Sequence, residues 1–176
     1  MGRLMAALER LGLAEETILC FSSDHGDHLY SHGYTAEYED WMPIAKRGSK
    51  GTPYDESIRI PLIVRYPEGG RRGERTAVLF NSVDVMPTLL SLCGIDIPPE
   101  IQGMDLSHVM RGSEGKEPDS VYLQMLGPGW PTRTEWVGIW RGLRTDRYLY
   151  ARWRRIDGHR FEHEPVLFDR QNRLVF

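Results

Sequence analysis

The 176-residue chain has the length and composition of one ordinary globular domain with its own core. Hydrophobic residues make up 40% and charged residues 27% of it, and the formal net charge is −3 at pH 7. This balance argues against a general nucleic-acid-binding protein, and the apolar runs are too short to cross a bilayer.

The chain is predicted to open with a helix and a strand. Leu4, Leu8 and Leu11 recur at helical spacing, and Gly12 is placed to end the helix. The apolar run at residues 18–21 follows closely, and a helix leading into a strand is typical of a crossover unit. We therefore expect this strand to be buried in a parallel sheet. Because no strand precedes the helix, the chain is expected to begin within a domain.

The strand ends in Ser23-Asp24-His25-Gly26. In open α/β sheets, ligands bind just beyond the carboxyl ends of the strands. A carboxylate beside an imidazole at that position could form half of a metal site. The alternative from the residues alone is a loop in which Asp24 caps a turn and His25 is solvated.

Further elements are predicted downstream. An aperiodic loop leads from residue 28 to residue 51, and a short buried strand follows at residues 60–64. Asp84 is predicted to cap a helix that ends at Gly94. The predicted buried stripe of that helix is Val85, Met86, Leu89, Leu90 and Leu92.

In the last third of the chain, the residue pattern changes from helical to β-rich. A helical turn at residues 106–110 ends at Gly112, and three β-rich runs with short connections then predict an antiparallel meander. We therefore predict an α/β unit over residues 1–112 and an antiparallel β subdomain over residues 113–176. The two cysteines, Cys20 and Cys93, are interpreted as small buried hydrophobes rather than a disulfide pair.

Several motifs follow one another in an order that resembles the sulfatase family of the alkaline-phosphatase superfamily. They are Ser-Asp-His-Gly at 23–26, Lys-Gly-Thr-Pro-Tyr at 50–54, Arg-Ile-Pro at 59–61, Val-Asp-Val-Met-Pro-Thr-Leu-Leu at 83–90 and Gln-Gly-Met-Asp-Leu at 102–106. The resemblance covers nearly the whole chain and matches the C-terminal part of such an enzyme. It implies part of an alkaline-phosphatase-like parallel sheet flanked by helices, followed by a small antiparallel subdomain.

The resemblance implies hydrolysis of a sulfate ester, such as a sulfated carbohydrate or an aryl sulfate. Asp24 and His25 would be metal ligands. Lys50 would hold a sulfate oxygen or the leaving oxygen, with Lys46 as its rival, and His32 is a further candidate for the catalytic site. The cation would be calcium, with manganese or zinc as alternatives because imidazole suits them better.

The family's nucleophile is a formylglycine made from Cys or Ser in a Cys/Ser-x-Pro/Ala-x-Arg motif, and that motif is absent here. The chain is therefore expected to be inactive alone and to form part of a longer enzyme, whose compartment the sequence does not indicate. Two alternatives stay open. One is the corresponding part of a phosphonate monoester or phosphodiester hydrolase, in which the His form also occurs. The other is a non-catalytic carbohydrate-binding fragment, suggested by the tryptophans between residues 130 and 153.

Overall fold

A computed structural model of the chain describes residues 1–29, 31, 51–69, 73–125, 139–154, 166–169 and 173–175. The described elements, in chain order, are α1 (Gly2–Arg10), a 3-10 turn (Ala14–Glu16), β1 (Leu19–Ser22), α2 (Asp55–Ile58), β2 (Leu62–Arg65), a second 3-10 turn (Ser82–Asp84), α3 (Val85–Leu92), α4 (Ser107–Arg111), β3 (Ser120–Met125), β4 (Ile139–Thr145), β5 (Tyr148–Arg154), β6 (Val166–Asp169) and β7 (Arg173–Val175). No helix in these stretches is both long enough and apolar enough to cross a membrane.

The chain divides into two compact units. The first comprises Met1–Ser22 and Leu62–Pro118, and the second comprises Ser23–Pro61 and Asp119–Phe176. The loop that carries the candidate site residues therefore groups with the C-terminal sheet. The domain boundary at residue 112 stays a prediction.

In the first unit, β1 pairs with β2 in antiparallel register, from Leu19 opposite Arg65 to Ser22 opposite Leu62. The sequence predicts a buried strand with a parallel neighbour, whereas this described neighbour is antiparallel and Phe21 is 42% exposed. The difference arises because a helix before a strand does not fix the direction of every strand that pairs with it. The predicted end of α1 is confirmed, since Gly12 has a φ of +70°.

The helix α3 ends before Gly94 as predicted, but its inward face differs from the predicted stripe. Pro87, Thr88 and Leu92 are its buried residues, whereas Met86 is 59% exposed. The Thr88 hydroxyl accepts a hydrogen bond from the backbone N–H of Leu106 at 3.0 Å. This polar contact turns Thr88 inward, so periodicity of apolar residues alone assigns the wrong face.

Asp84 is not the side-chain cap of α3 that the sequence predicts. Its carboxylate is buried and accepts hydrogen bonds at 2.8 Å from the backbone N–H groups of Asn81 and Met104. It thus joins the start of α3 to a segment twenty positions away. Gly103 permits this approach, because a Cβ there would lie 2.0 Å from the Val83 carbonyl oxygen.

We expect Asp84→Ala to lower the free energy of unfolding by about 2 kcal/mol, because two half-buried backbone N–H groups lose their acceptor. Asp84→Asn keeps one acceptor oxygen and should lose less. Urea unfolding of both variants measures the difference. Equal losses in the two variants would contradict the assigned role of the carboxylate.

The second unit confirms the antiparallel meander. Its sheet has the strand order β3-β4-β5-β6-β7, and each neighbouring pair is antiparallel. Side chains alternate between its faces, so Trp140, Leu149 and Ala151 are buried while Tyr150 is exposed. The buried face is the one that contacts the candidate site.

Candidate active site

The Ser23–Gly26 loop directly follows β1 and brings two potential ligands together. The Ser23 hydroxyl donates to the His25 carbonyl oxygen at 2.8 Å, and the His25 backbone N–H donates to the Asp24 carboxylate at 3.0 Å. The Asp24 side chain is 84% exposed and that of His25 is 37% exposed. Both groups are therefore accessible to a ligand.

The His25 ring is oriented by its own loop. Its Nδ1 lies 2.7 Å from the Gly26 carbonyl oxygen, which can only accept a hydrogen bond, so Nδ1 carries the proton. In the neutral ring, Nε2 then carries the lone pair, and it lies 3.4 Å from Asp24 Oδ2. A nitrogen and an oxygen donor side by side can bind one cation, and a backbone carbonyl behind the ring is the usual support for a metal-binding histidine. When the ring is protonated, the same pair forms an ion pair.

Asp24 and His25 form a pair rather than a complete metal site. Within the described parts of the chain, no group of three or more His, Cys, Asp and Glu side chains could hold a metal ion. Carboxylate oxygen and imidazole nitrogen nevertheless suit a divalent cation. The pair therefore fits as one portion of a ligand set.

Gly26 packs directly against the segment around α2. Its backbone N–H donates to the Ser57 carbonyl oxygen at 2.8 Å. A Cβ at this position would lie 1.9 Å from the Glu56 carbonyl oxygen, so only glycine fits. The ligand loop is thereby joined to the segment that follows the candidate Lys50.

A buried histidine makes a second connection between the same two segments. His28 is 3% exposed, and its Nε2 lies 2.7 Å from the hydroxyl of Thr52, which is 2% exposed. The Tyr54 ring packs edge-on against His28, with ring centroids 5.6 Å apart. Sequence reasoning did not predict that His28 and Thr52 pair, because the two residues are 24 positions apart.

Lys50, its rival Lys46 and the candidate His32 lie outside the described residues. Gly51, the next residue after Lys50, is fixed by its backbone. Its N–H donates to the Ser57 hydroxyl at 3.0 Å, and its carbonyl oxygen accepts from the Trp140 indole at 2.7 Å. Gly51 is therefore held by hydrogen bonds within the unit that contains Asp24 and His25.

Neither cysteine has the features of the family's nucleophile. Cys20 lies within β1, where burial raises the pKa of its thiol. Cys93 is exposed rather than buried as predicted, because it caps the C-terminus of α3, and both cysteines are free. Neither is followed by the family's Pro/Ala-x-Arg residues, so the residues present do not fit a formylglycine precursor.

Two protein-family models match the chain. The model described as sulfatase matches residues 1–95, and the model described as N-sulphoglucosamine sulphohydrolase, C-terminal, matches residues 49–172. An ulvan-active sulfatase from Formosa agariphila is 32% identical over 156 residues, which cover 86% of this chain and 27% of that protein.

Solved structures share the fold. A protein in complex with its substrate D-glucosamine-2-N,6-O-disulfate superposes with a TM-score of 0.74 at 24% identity, covering 97% of this chain and 31% of that one. A phosphonate monoester hydrolase from Silicibacter pomeroyi gives 0.71 at 25% identity, covering 98% and 32%. The alkaline-phosphatase-like fold class is thereby confirmed.

The chain spans less than a third of the length of each of these three proteins. The motifs, the two family models and the 32% identical relative agree with one another along most of its residues. This chain therefore belongs to the sulfatase family.

Proposed function

We propose that the chain contributes a cation-binding pair and a substrate-binding lysine to a longer, metal-dependent sulfuric ester hydrolase. Asp24 and His25 would bind a divalent cation, and Lys50 would contact the sulfate group or the leaving oxygen. His32 would line the same site. The observation that carries the proposal is the pairing of Asp24 Oδ2 with His25 Nε2 at 3.4 Å on an exposed loop.

Each of these residues would have a definite task. Gly26 holds the His25 ring so that Nε2 faces the carboxylate. The ammonium of Lys50 would offset negative charge that develops as the ester bond breaks. A bound cation supplies polarisation of the ester oxygens. Calcium is the proposed ion, and manganese and zinc are the alternatives that the imidazole admits.

The proposed substrate is a sulfate ester of a carbohydrate or of an aryl alcohol. The description of the family model that matches residues 49–172 names a sulfated amino sugar, which favours a carbohydrate substrate. Because neither cysteine fits the nucleophile, we propose that it lies outside this chain and that the 176 residues alone are inactive. Turnover of para-nitrophenyl sulfate and of a sulfated glucosamine, by the chain and by the complete gene product, tests both statements.

A phosphonate monoester or a phosphodiester is the second candidate substrate. It is favoured by the 25% identical phosphonate monoester hydrolase, with its TM-score of 0.71. Comparing kcat/KM for a sulfate monoester and a phosphonate monoester in the complete gene product separates the two. A higher value for the phosphonate would reject the sulfatase assignment.

The third alternative, a carbohydrate-binding fragment without catalysis, rests on tryptophans. Trp130 and Trp136 lie outside the described residues, and Trp140 is only 4% exposed. Since the Trp140 indole faces Gly51, it offers no exposed platform for a sugar. The structure gives this alternative no support from Trp140.

Lys50→Ala in the complete gene product should lower kcat by about 10²-fold, because an electrostatic contact to the developing charge is lost. Metal content should be unchanged. Lys116→Ala, at an exposed lysine, is the matched control. Full activity in Lys50→Ala together with a large loss in Lys46→Ala would transfer the role to Lys46.

A further inference from the structure

The short helix α2 is joined to the C-terminal sheet by an ion pair. Arg144 of β4 donates to both carboxylate oxygens of Asp55, the first residue of α2, at 2.5 and 3.2 Å. The Arg144 side chain is 13% exposed, so water competes little for the contact. Two parallel hydrogen bonds fix the direction of the carboxylate as well as its position. The start of α2 is therefore fixed relative to β4.

The helix α2 has little stability of its own. It comprises only the four residues Asp55–Ile58, and no side chain caps its N-terminus. A single helical turn forms too few hydrogen bonds to offset the cost of ordering its backbone. Its position therefore depends on contacts with the rest of its unit. These contacts include the ion pair of Asp55 and the bond that the Ser57 hydroxyl accepts from the Gly51 N–H at 3.0 Å.

The backbone of α2 also contacts the loop that carries the cation-binding pair. The Gly26 N–H donates to the Ser57 carbonyl oxygen at 2.8 Å, and a Cβ at Gly26 would lie 1.9 Å from the Glu56 carbonyl oxygen. The Gly26 carbonyl oxygen in turn accepts the bond from His25 Nδ1 at 2.7 Å. A displacement of α2 would therefore move the residue that orients the His25 ring.

We propose that Arg144 is a positioning residue for the Asp24–His25 pair. It acts by fixing α2, which holds Gly26 and through it the His25 ring. This inference rests on the proposed function of the pair as cation ligands. A guanidinium has a permanent positive charge and no acceptor, so Arg144 cannot itself bind the cation. Its contribution to affinity is to hold the two donors in place before the cation binds, as the residues that support metal ligands commonly do.

The test measures the affinity of the metal-free complete gene product for Ca²⁺ and for Mn²⁺, by competition with a chelator. For the ion that the native protein binds more tightly, Arg144→Gln should weaken binding by about tenfold. In a His25→Ala background, the same substitution should weaken binding by less than about twofold, because the ring that α2 orients is absent. Arg147→Gln, which removes an Arg–Asp contact to Asp169 at 3.0 Å in the same sheet, is the matched control and should leave the affinity unchanged.

Native affinity in Arg144→Gln, or equal losses in the two backgrounds, would overturn this inference alone, since equal losses show a general structural role. Native affinity in His25→Ala would instead overturn the proposed function of His25 as a ligand. If Arg144→Gln does not accumulate as folded protein, Asp55→Asn replaces it, because it keeps the size of the side chain and removes the charge at the other end of the pair. The same outcomes then decide.

Discussion

Replacing Asp24 with alanine in the complete gene product is expected to abolish metal-dependent hydrolysis, with turnover lower by about 10³-fold or more. The carboxylate is 84% exposed, so its loss should scarcely affect folding. It is also the only anionic group of the pair, and His25 alone is a weak site for a hard cation. Metal analysis of the purified variant should therefore show a loss of bound cation in parallel with the loss of turnover.

Two companion variants sharpen this experiment. Asp24→Asn keeps the shape and removes the charge, and it should recover only a small part of the activity. Asp96→Ala removes an exposed carboxylate in the first unit and should leave metal and turnover unchanged. Native metal content in Asp24→Ala would reject the assignment of Asp24 as a ligand.

Gly26→Ala is expected to be the most damaging substitution for the geometry of the site. The new Cβ would lie 1.9 Å from the Glu56 carbonyl oxygen and 2.9 Å from its carbon, and neither backbone atom can rotate away. Relief requires the ligand loop and the α2 segment to separate. We expect the free energy of unfolding to fall by about 3 kcal/mol and turnover to fall with it.

Gly2→Ala is the matched control, because nothing lies within 4 Å of a Cβ built at Gly2. Its effect on stability should stay within about 0.5 kcal/mol. Urea unfolding and turnover are measured on both variants. If Gly26→Ala keeps native stability and activity, close packing of the Ser23–Gly26 loop against α2 is not required for the geometry of the site.

Much of the local structure could be predicted from the sequence. The glycines Gly12, Gly94 and Gly112 all follow helices and have φ values of +68° to +70°. These helix ends can be predicted from the sequence because a helix commonly ends with a residue in the left-handed conformation, which glycine adopts most easily. The antiparallel meander could also be predicted from local sequence, since β-rich runs joined by short connections favour antiparallel pairing of neighbouring strands.

The buried faces were harder to predict. The apolar stripe assigned to α3 included Met86, which is exposed, and omitted Thr88, which is 1% exposed. A hydrogen bond to the backbone of Leu106 makes burial of the Thr88 hydroxyl possible. Hydrophobic spacing does not contain that information, because the partner belongs to another part of the chain.

By itself, the sequence determined the family, the order of its motifs and the adjacency of Asp24 and His25, since each of these depends on neighbouring residues. Tertiary structure alone decided which residues support the pair. His28 meets Thr52 across 24 positions, and Trp140 meets Gly51 across 89. Such contacts form only when the folded backbone brings distant segments within hydrogen-bonding distance, and no local pattern of residues specifies them.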